Sequence, residues 1–189
     1  MALILASASP RRRELLSGLG LSFEIRPAVG EEHPEPGLSG AETAKRLSRA
    51  KCLEIAAGAA PEDVIIAADT VVVLSGTILG KPKDEADAKR MLTALSGRTH
   101  WVYTGVTAAR GERLISEAEG TEVRFRALTE REIDAYIATG EPMDKAGAYG
   151  IQGRASLFVE GIDGDYFNVV GLPLCKLGQM LKELNVDLI

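Results

Sequence analysis

An α/β fold, built on a mixed sheet with flanking helices, is predicted by three features of this 189-residue sequence. Strand-like apolar runs alternate with helix-like segments along its whole length. The run Val64 to Ala68 is apolar at every position, as in a central strand covered on both faces. Thr99 to Ala109 and Arg113 to Leu128 read as two long strands joined around Arg110-Gly111-Glu112, so that pair is antiparallel and the sheet is mixed.

Leu3-Ile4-Leu5 opens the chain as a short strand, Ser7-Ala8-Ser9 breaks it, and Pro10 to Leu16 begins a helix with Ser9 at the N-cap and Pro10 at N1. Arg11, Arg12 and Arg13 then crowd a helix start, where the dipole favours acids instead. An anion, phosphate above all, would offset them. Gly18 and Gly20 close the helix, and Leu21 to Pro27 alternates as a second strand. Gly30 to Gly40 is acidic and proline-rich, a hinge or a site loop.

Ser39 with Glu42 forms a capping box for a helix to about Ala57. Lys45, Arg46 and Arg49 are solvated charges on it, whereas Lys51 shares the stripe of Ala44 and Leu47 and needs a partner for its ammonium. Val64 to Ala68 runs into Asp69-Thr70 and then Val71 to Leu74, which puts a carboxylate at the end of a buried strand. Gly76 turns the chain, and Gly80-Lys81-Pro82 follows; the proline holds Lys81 in extended backbone.

Asp84 starts a helix with Ala88, Met91, Leu92 and Leu95 inward and Gly97 at its end. After the long hairpin, Thr129 and Glu132 form a second capping box for a helix ending at Gly140. Asp144 to Gly153 is too rich in glycine for a helix or central strand and lets backbone approach something closely. Ala155 to Glu160 and Tyr166 to Val170 read as strands around Asp163-Gly164, and a last helix carries Leu174, Leu177, Met180, Leu181 and Leu184 on one face.

A chain of this length with 46% hydrophobic residues can bury about 70% of its unfolded surface as one domain. Its net charge of −5 argues against a nucleic-acid polymer as partner. Cys52 and Cys175 lack the spacing of a zinc site or a disulfide framework and read as buried thiols in a reducing compartment. The apolar start is too short for a signal peptide and no stretch reaches a membrane span, so a cytoplasmic protein without a membrane partner is expected.

Neither GxxxxGK[ST] nor a GxGxxG after a strand is present. The candidates are instead scattered at strand ends and loops: Ser7, Arg11, Arg12, Glu31, Lys51, Asp69, Thr70, Lys81 and Gln152. Such positions converge at the edge of an α/β sheet. The set offers cations for phosphate oxygens, acids for a divalent ion or a water, and neutral groups for a base. Asp69 could hold the ion or take a proton from an attacking water, the alternative being a cap for the following turn. Glu31 is either a ligand or a solvated loop residue. His33 and His100 show no ligand spacing and read as surface residues.

Ser7 to Leu16, Ala68-Asp69-Thr70-Val71-Val72, Gly80-Lys81-Pro82, Ser96-Gly97, Asp144 to Gly153 and Val170-Gly171-Leu172-Pro173-Leu174 together resemble the Maf family of nucleoside triphosphate pyrophosphatases, in the family's motif order and nearly end to end. The resemblance implies one domain over 1–189, the fold of inosine triphosphate pyrophosphatases with two lobes around a cleft, and hydrolysis between the α and β phosphates. It also implies a divalent cation, Mg²⁺ or Mn²⁺, on Glu31 and Asp69. Asp69 matches the family's proton acceptor, and Arg11, Thr70 and Gln152 match positions linked to substrate choice. Ser7, Arg12, Lys51 and Lys81 match further polar cleft positions. Ala-Asp-Thr with Gly-Ile-Gln-Gly is similar to the branch acting on dTTP and UTP; the 7-methyl-GTP branch tends to Ser-Asp-Gln with a Glu near Gln152.

Gln152, donor and acceptor at once, suits the O4 and N3–H edge of uracil and thymine. One departure is Val29-Gly30-Glu31, where members often read Val-Asp-Glu, which leaves Glu31 and Glu32 as the local acids. A homodimer is expected without a located interface. A nucleotide-sensing regulator of septum formation, the role behind the family's name, is the alternative of another class.

Overall fold

The computed structural model describes residues 1–30, 35 and 37–188. Its strands are β1 (Leu3–Leu5), β2 (Glu24–Ile25), β3 (Val64–Leu74), β4 (Thr77–Leu79), β5 (Thr99–Arg110), β6 (Arg113–Phe125) and β7 (Val159–Asp163). They form one mixed sheet in the order β2-β1-β3-β5-β6-β7, with β4 on β3. β1 is parallel to β2 and β3, and every other pairing is antiparallel. The α/β class with a mixed sheet is therefore as expected. The helices are α1 (Pro10–Gly18), α2 (Gly40–Ala56), α3 (Glu85–Leu95), α4 (Glu130–Ile137), α5 (Tyr166–Val170) and α6 (Leu174–Glu183).

β3 is one continuous strand through Asp69-Thr70, not a strand that stops at them. Its alternation sorts the core. Ile65, Ala67, Val71 and Val73 face α2 through Cys52 and Ala44. On the other face, Val64, Ile66 and Ala68 pack with Leu177, Met180 and Leu181 of α6, while Val72 and Leu74 join a second cluster with α3 and α4. These two clusters are the cores of two lobes that share the sheet.

The pairing of β3 changes halfway along. Leu5 opposite Ile66 is the last register pair with β1, closed by the Ala6 N–H donating to the Ile66 carbonyl at 2.7 Å. β4 joins on the same side with Leu79 opposite Val72. Between them, residues 67–71 have a strand neighbour only in β5 among the described residues. Among the described residues the sheet thus has a notch in its interior, and β3 lines a cleft there from Asp69 to Val72.

Two glycines allow the layers to close around this notch. A Cβ on Gly105 would lie 2.1 Å from the Ala44 carbonyl oxygen and 2.4 Å from the Lys45 nitrogen, so α2 rests directly on the β5 backbone. Gly147, with φ +69°, brings its backbone against Val72 and donates to the Gly80 carbonyl at 3.0 Å. That is the close approach expected of the glycine-rich segment, which forms 3-10 turns at Glu141–Asp144, Ala146–Ala148 and Gly153–Leu157.

Several local expectations are corrected. Leu21 to Pro27 contributes only Glu24–Ile25 to the sheet. Ala155 belongs to a 3-10 turn ahead of β7, and Tyr166 to Val170 is helix α5, not a strand. The Asp165 carboxylate caps α5 through the Phe167 N–H, and buried Asn168 anchors it to β5, so local capping and tertiary contacts override the β-branched and aromatic composition. β6 ends at Phe125, short of Leu128. Ser9 occupies the N-cap of α1, but its side chain makes no capping hydrogen bond. The capping boxes at Ser39 and Thr129 form as expected. Cys175 is exposed while Cys52 is buried.

His100 is also not on the surface. It is 1% exposed, packs edge-on to Phe125 and Tyr149, and shares a 2.7 Å hydrogen bond between Nε2 and the Tyr149 hydroxyl. Burial pushes its pKa down from 6.5 to about 4. The unfolded chain therefore binds a proton that the folded one refuses between those values, and stability falls as pH drops through that window. The loss by pH 4 is about 3 kcal/mol. His100→Gln should flatten the slope of unfolding free energy against pH between 4 and 6.5 in denaturant titrations; an unchanged slope would place its origin elsewhere.

Candidate active site

A cleft of about 750 Å³ opens at the notch. Ser7 and the first turn of α1 form one wall, and the α2 stripe Thr43, Leu47 and Lys51 lies above β3. Gly80-Lys81 and the segment from Asp144 to Gln152 form the facing wall. All the expected residues that fall within the described chain line it: Ser7, Arg11, Arg12, Lys51, Asp69, Thr70, Lys81 and Gln152. Glu31, the remaining one, lies outside the described residues, as do Glu32 and His33.

Asp69 and Thr70 are neighbours on β3, so their side chains leave opposite faces of the sheet. Asp69 turns to the α2 face, where the Lys51 ammonium reaches its Oδ1 at 2.6 Å; the two side chains are 9% and 18% exposed. The partner expected for the lysine on the Ala44 and Leu47 stripe is this carboxylate, and the pair offsets the cost of burying both charges. Thr70 turns to the α1 face, where Arg12 Nη2 donates to its hydroxyl at 3.1 Å. Arg12 also donates from Nη1 to Ser7 Oγ at 3.0 Å and from Nε to the Gly171 carbonyl at 2.8 Å. The two functional faces meet where β3 has no strand neighbour between β1 and β4 among the described residues.

Arg11, Lys81 and Gln152 make no side-chain hydrogen bond or ion pair among the described residues. Two cations and an amide thus stand in the cleft uncommitted to any described partner. Arg11 is felt across it: burial raises the Asp144 pKa, but the hydrogen bond and charge of Lys145, together with the charge of Arg11, leave it below its ordinary value. Asp144, Lys145 and Tyr149 are cleft residues not singled out from the sequence, although they sit inside the glycine-rich segment that was. Thr43 is another, with a buried hydroxyl that lacks a hydrogen-bond partner among the described residues. Its spacing of four and eight from Leu47 and Lys51 places it on the same helical stripe, a signal available beforehand.

A sequence model of the family described as Maf-like protein matches residues 2–184. The chain belongs to the Maf family. This Maf chain is 54% identical to a protein of Moorella thermoacetica named dTTP/UTP pyrophosphatase, over 98% of its own length and 96% of that protein's. A Bacillus pumilus protein of the same name is 50% identical over 97% of each chain. Among solved structures, a HAM1 protein from Coxiella burnetii superposes on the Maf chain with a TM-score of 0.51 at 14% identity, covering 97% of this chain and all of that one. The last likeness concerns the fold alone, and agrees with the architecture expected of the family.

Proposed function

We propose that this chain hydrolyses dTTP and UTP to the nucleoside monophosphate and pyrophosphate, using a divalent cation. The observation that carries the reading is the meeting of Arg11, Arg12 and Lys81 with the Lys51–Asp69 pair in one cleft. The name of the two relatives at 54% and 50% identity supports the choice of nucleotide.

In this reading the triphosphate lies along the α1 wall. The N–H groups of the helix start and the Arg11, Arg12 and Lys81 side chains neutralise its oxygens as charge builds on the leaving pyrophosphate. Asp69, which accepts a hydrogen bond from the Lys51 ammonium, takes the proton of a water attacking the α phosphorus. The new P–O bond goes to the nucleoside monophosphate, and the bond between the α and β phosphates breaks. Gln152 pairs with the O4 and N3–H edge of the pyrimidine, and Thr70 borders the same cleft.

The donor set bears on whether a divalent cation fits. No group of three or more His, Cys, Asp or Glu side chains suited to a metal is found among the described residues. A Mg²⁺-type ion does not need one, since it is commonly held by one or two carboxylates plus substrate phosphates. Asp69 fits that requirement, with Glu31 as the second acid the family resemblance implies. The ion would supply charge neutralisation on the phosphates and lower the pKa of a bound water.

Pyrophosphate release from dTTP, UTP, CTP, GTP and 7-methyl-GTP, each with Mg²⁺, Mn²⁺ or chelator, tests the reading. Turnover of dTTP and UTP well above the rest, lost on chelation, is the expected result. Preference for 7-methyl-GTP would reassign the substrate, and nucleotide binding without release would favour a sensor.

A further inference from the structure

We propose that Thr104 and Asn168, which do not line the cleft, are positioning residues that orient the Arg12 guanidinium through a proton-ordered chain of hydrogen bonds. The inference rests on the proposed role of Arg12 as a triphosphate contact.

The order of the chain follows from counting protons. The Thr104 hydroxyl lies 2.9 Å from the Asn168 backbone carbonyl and 2.8 Å from the Thr70 hydroxyl. A carbonyl can only accept, so the single Thr104 proton is committed to Asn168. Thr104 must then accept from Thr70, whose own proton is spent in turn. Thr70 is left as an acceptor, and the donor aimed at it is Arg12 Nη2 at 3.1 Å. The sequence runs Arg12, Thr70, Thr104, Asn168 with every donor pointing inward. A Thr70 without the inner links could rotate its proton toward Arg12 and lose the bond.

The inner end of the chain is firmly held. Thr104 and Asn168 are both 0% exposed. The Asn168 amide donates to the Val102 carbonyl at 3.0 Å and to Thr121 Oγ1 at 2.9 Å, and its Oδ1 accepts the Thr104 N–H at 3.1 Å. A fully satisfied buried network of this kind has one arrangement rather than several. The same segment supplies a second hold. α5 ends at Gly171, whose φ of +126° is costly for a side-chain-bearing residue, and its carbonyl receives Arg12 Nε at 2.8 Å. The short helix α5 is thus the mount on which two of the three assigned Arg12 hydrogen bonds depend, one directly and one through Thr104.

Thr104→Val keeps the shape and removes the hydroxyl; Thr104→Ser keeps the hydroxyl. Calorimetric titration with inorganic triphosphate reads the anion site without turnover, and dTTP kinetics read it with turnover. Thr104→Val is expected to weaken inorganic triphosphate about tenfold and to raise the KM for dTTP by a similar factor. Thr104→Ser should stay within about twofold of wild type. In an Arg12→Lys background Thr104→Val should cause no further loss, because the fork it orients is gone.

Equal losses in both backgrounds, or wild-type affinity in Thr104→Val with only a lower Tm, would overturn the proposal. So would absence of inorganic triphosphate binding by the wild type. If Thr104→Val does not fold, Thr104→Ala, which also removes the hydroxyl, takes its place in the same cycle, and the same results support or overturn the proposal. Binding of inorganic triphosphate by a wild type that leaves dTTP intact would sink the proposed activity alone, and the cycle would still decide whether the Thr104 hydroxyl, which donates to the Asn168 carbonyl, orients Arg12.

Discussion

Asp69→Asn should lower pyrophosphate release by about 10² to 10⁴-fold, the usual contribution of a positioned general base, while dTTP binding stays within a few-fold. The substitution preserves size and removes the charge. The cations assigned to the phosphates do not depend on Asp69 for their placement: Arg12 is held by Ser7, Thr70 and Gly171, and Lys81 comes from the far wall. Binding and turnover should therefore separate. Single-turnover assays beside calorimetry on the same variant would check this, with Tm as a control for the loss of the Lys51–Asp69 ion pair. Full turnover in Asp69→Asn would remove the carboxylate from the reaction.

Gly105→Ala is expected to destabilise the fold by about 3 kcal/mol or more and to cost activity with it. Gly105 pairs directly with Asp69 across β3 and β5. Its added methyl would meet Ala44 backbone at 2.1 and 2.2 Å, contacts that no side-chain rotation relieves. α2 must lift or slide, and it carries Lys51 two turns further on. Chemical denaturation measures the first effect and dTTP turnover the second. A wild-type unfolding midpoint in Gly105→Ala would mean that α2 can move outward without loss of packing.

The parts of the fold legible in the sequence were those fixed by local chemistry. The capping boxes at Ser39 and Thr129, the N-cap at Asp84, the uniformly apolar start of β3 and the hydrophobic stripe of α6 all lie where their residues placed them. Elements decided by distant contacts were not legible. α5 has a strand's composition but answers to Asp165 and Asn168, and His100 is buried because Phe125 and Tyr149 close over it from elsewhere in the chain. The candidate residues were recognisable from side-chain chemistry and motif order. Their arrangement was not, because the opposed directions of Asp69 and Thr70 become useful only once β1 stops and β4 starts short of each other. Thr104 and Asn168 offered no sequence signal, since their roles come from hydrogen bonds to Thr70 of β3 and between β5 and α5.

An uncovered strand edge usually invites pairing with a second molecule, and proteins blunt such edges to avoid aggregation. The gap along residues 67–71 needs no such defence. It is bounded at both ends by strands that continue the sheet, so an extended segment from another chain would strike β1 or β4 before it could align. An inner strand thereby presents Asp69 and Thr70 to a small solute while the flanking strands keep a second chain from pairing along it, and the fold gains a recognition surface without gaining a template for fibrils.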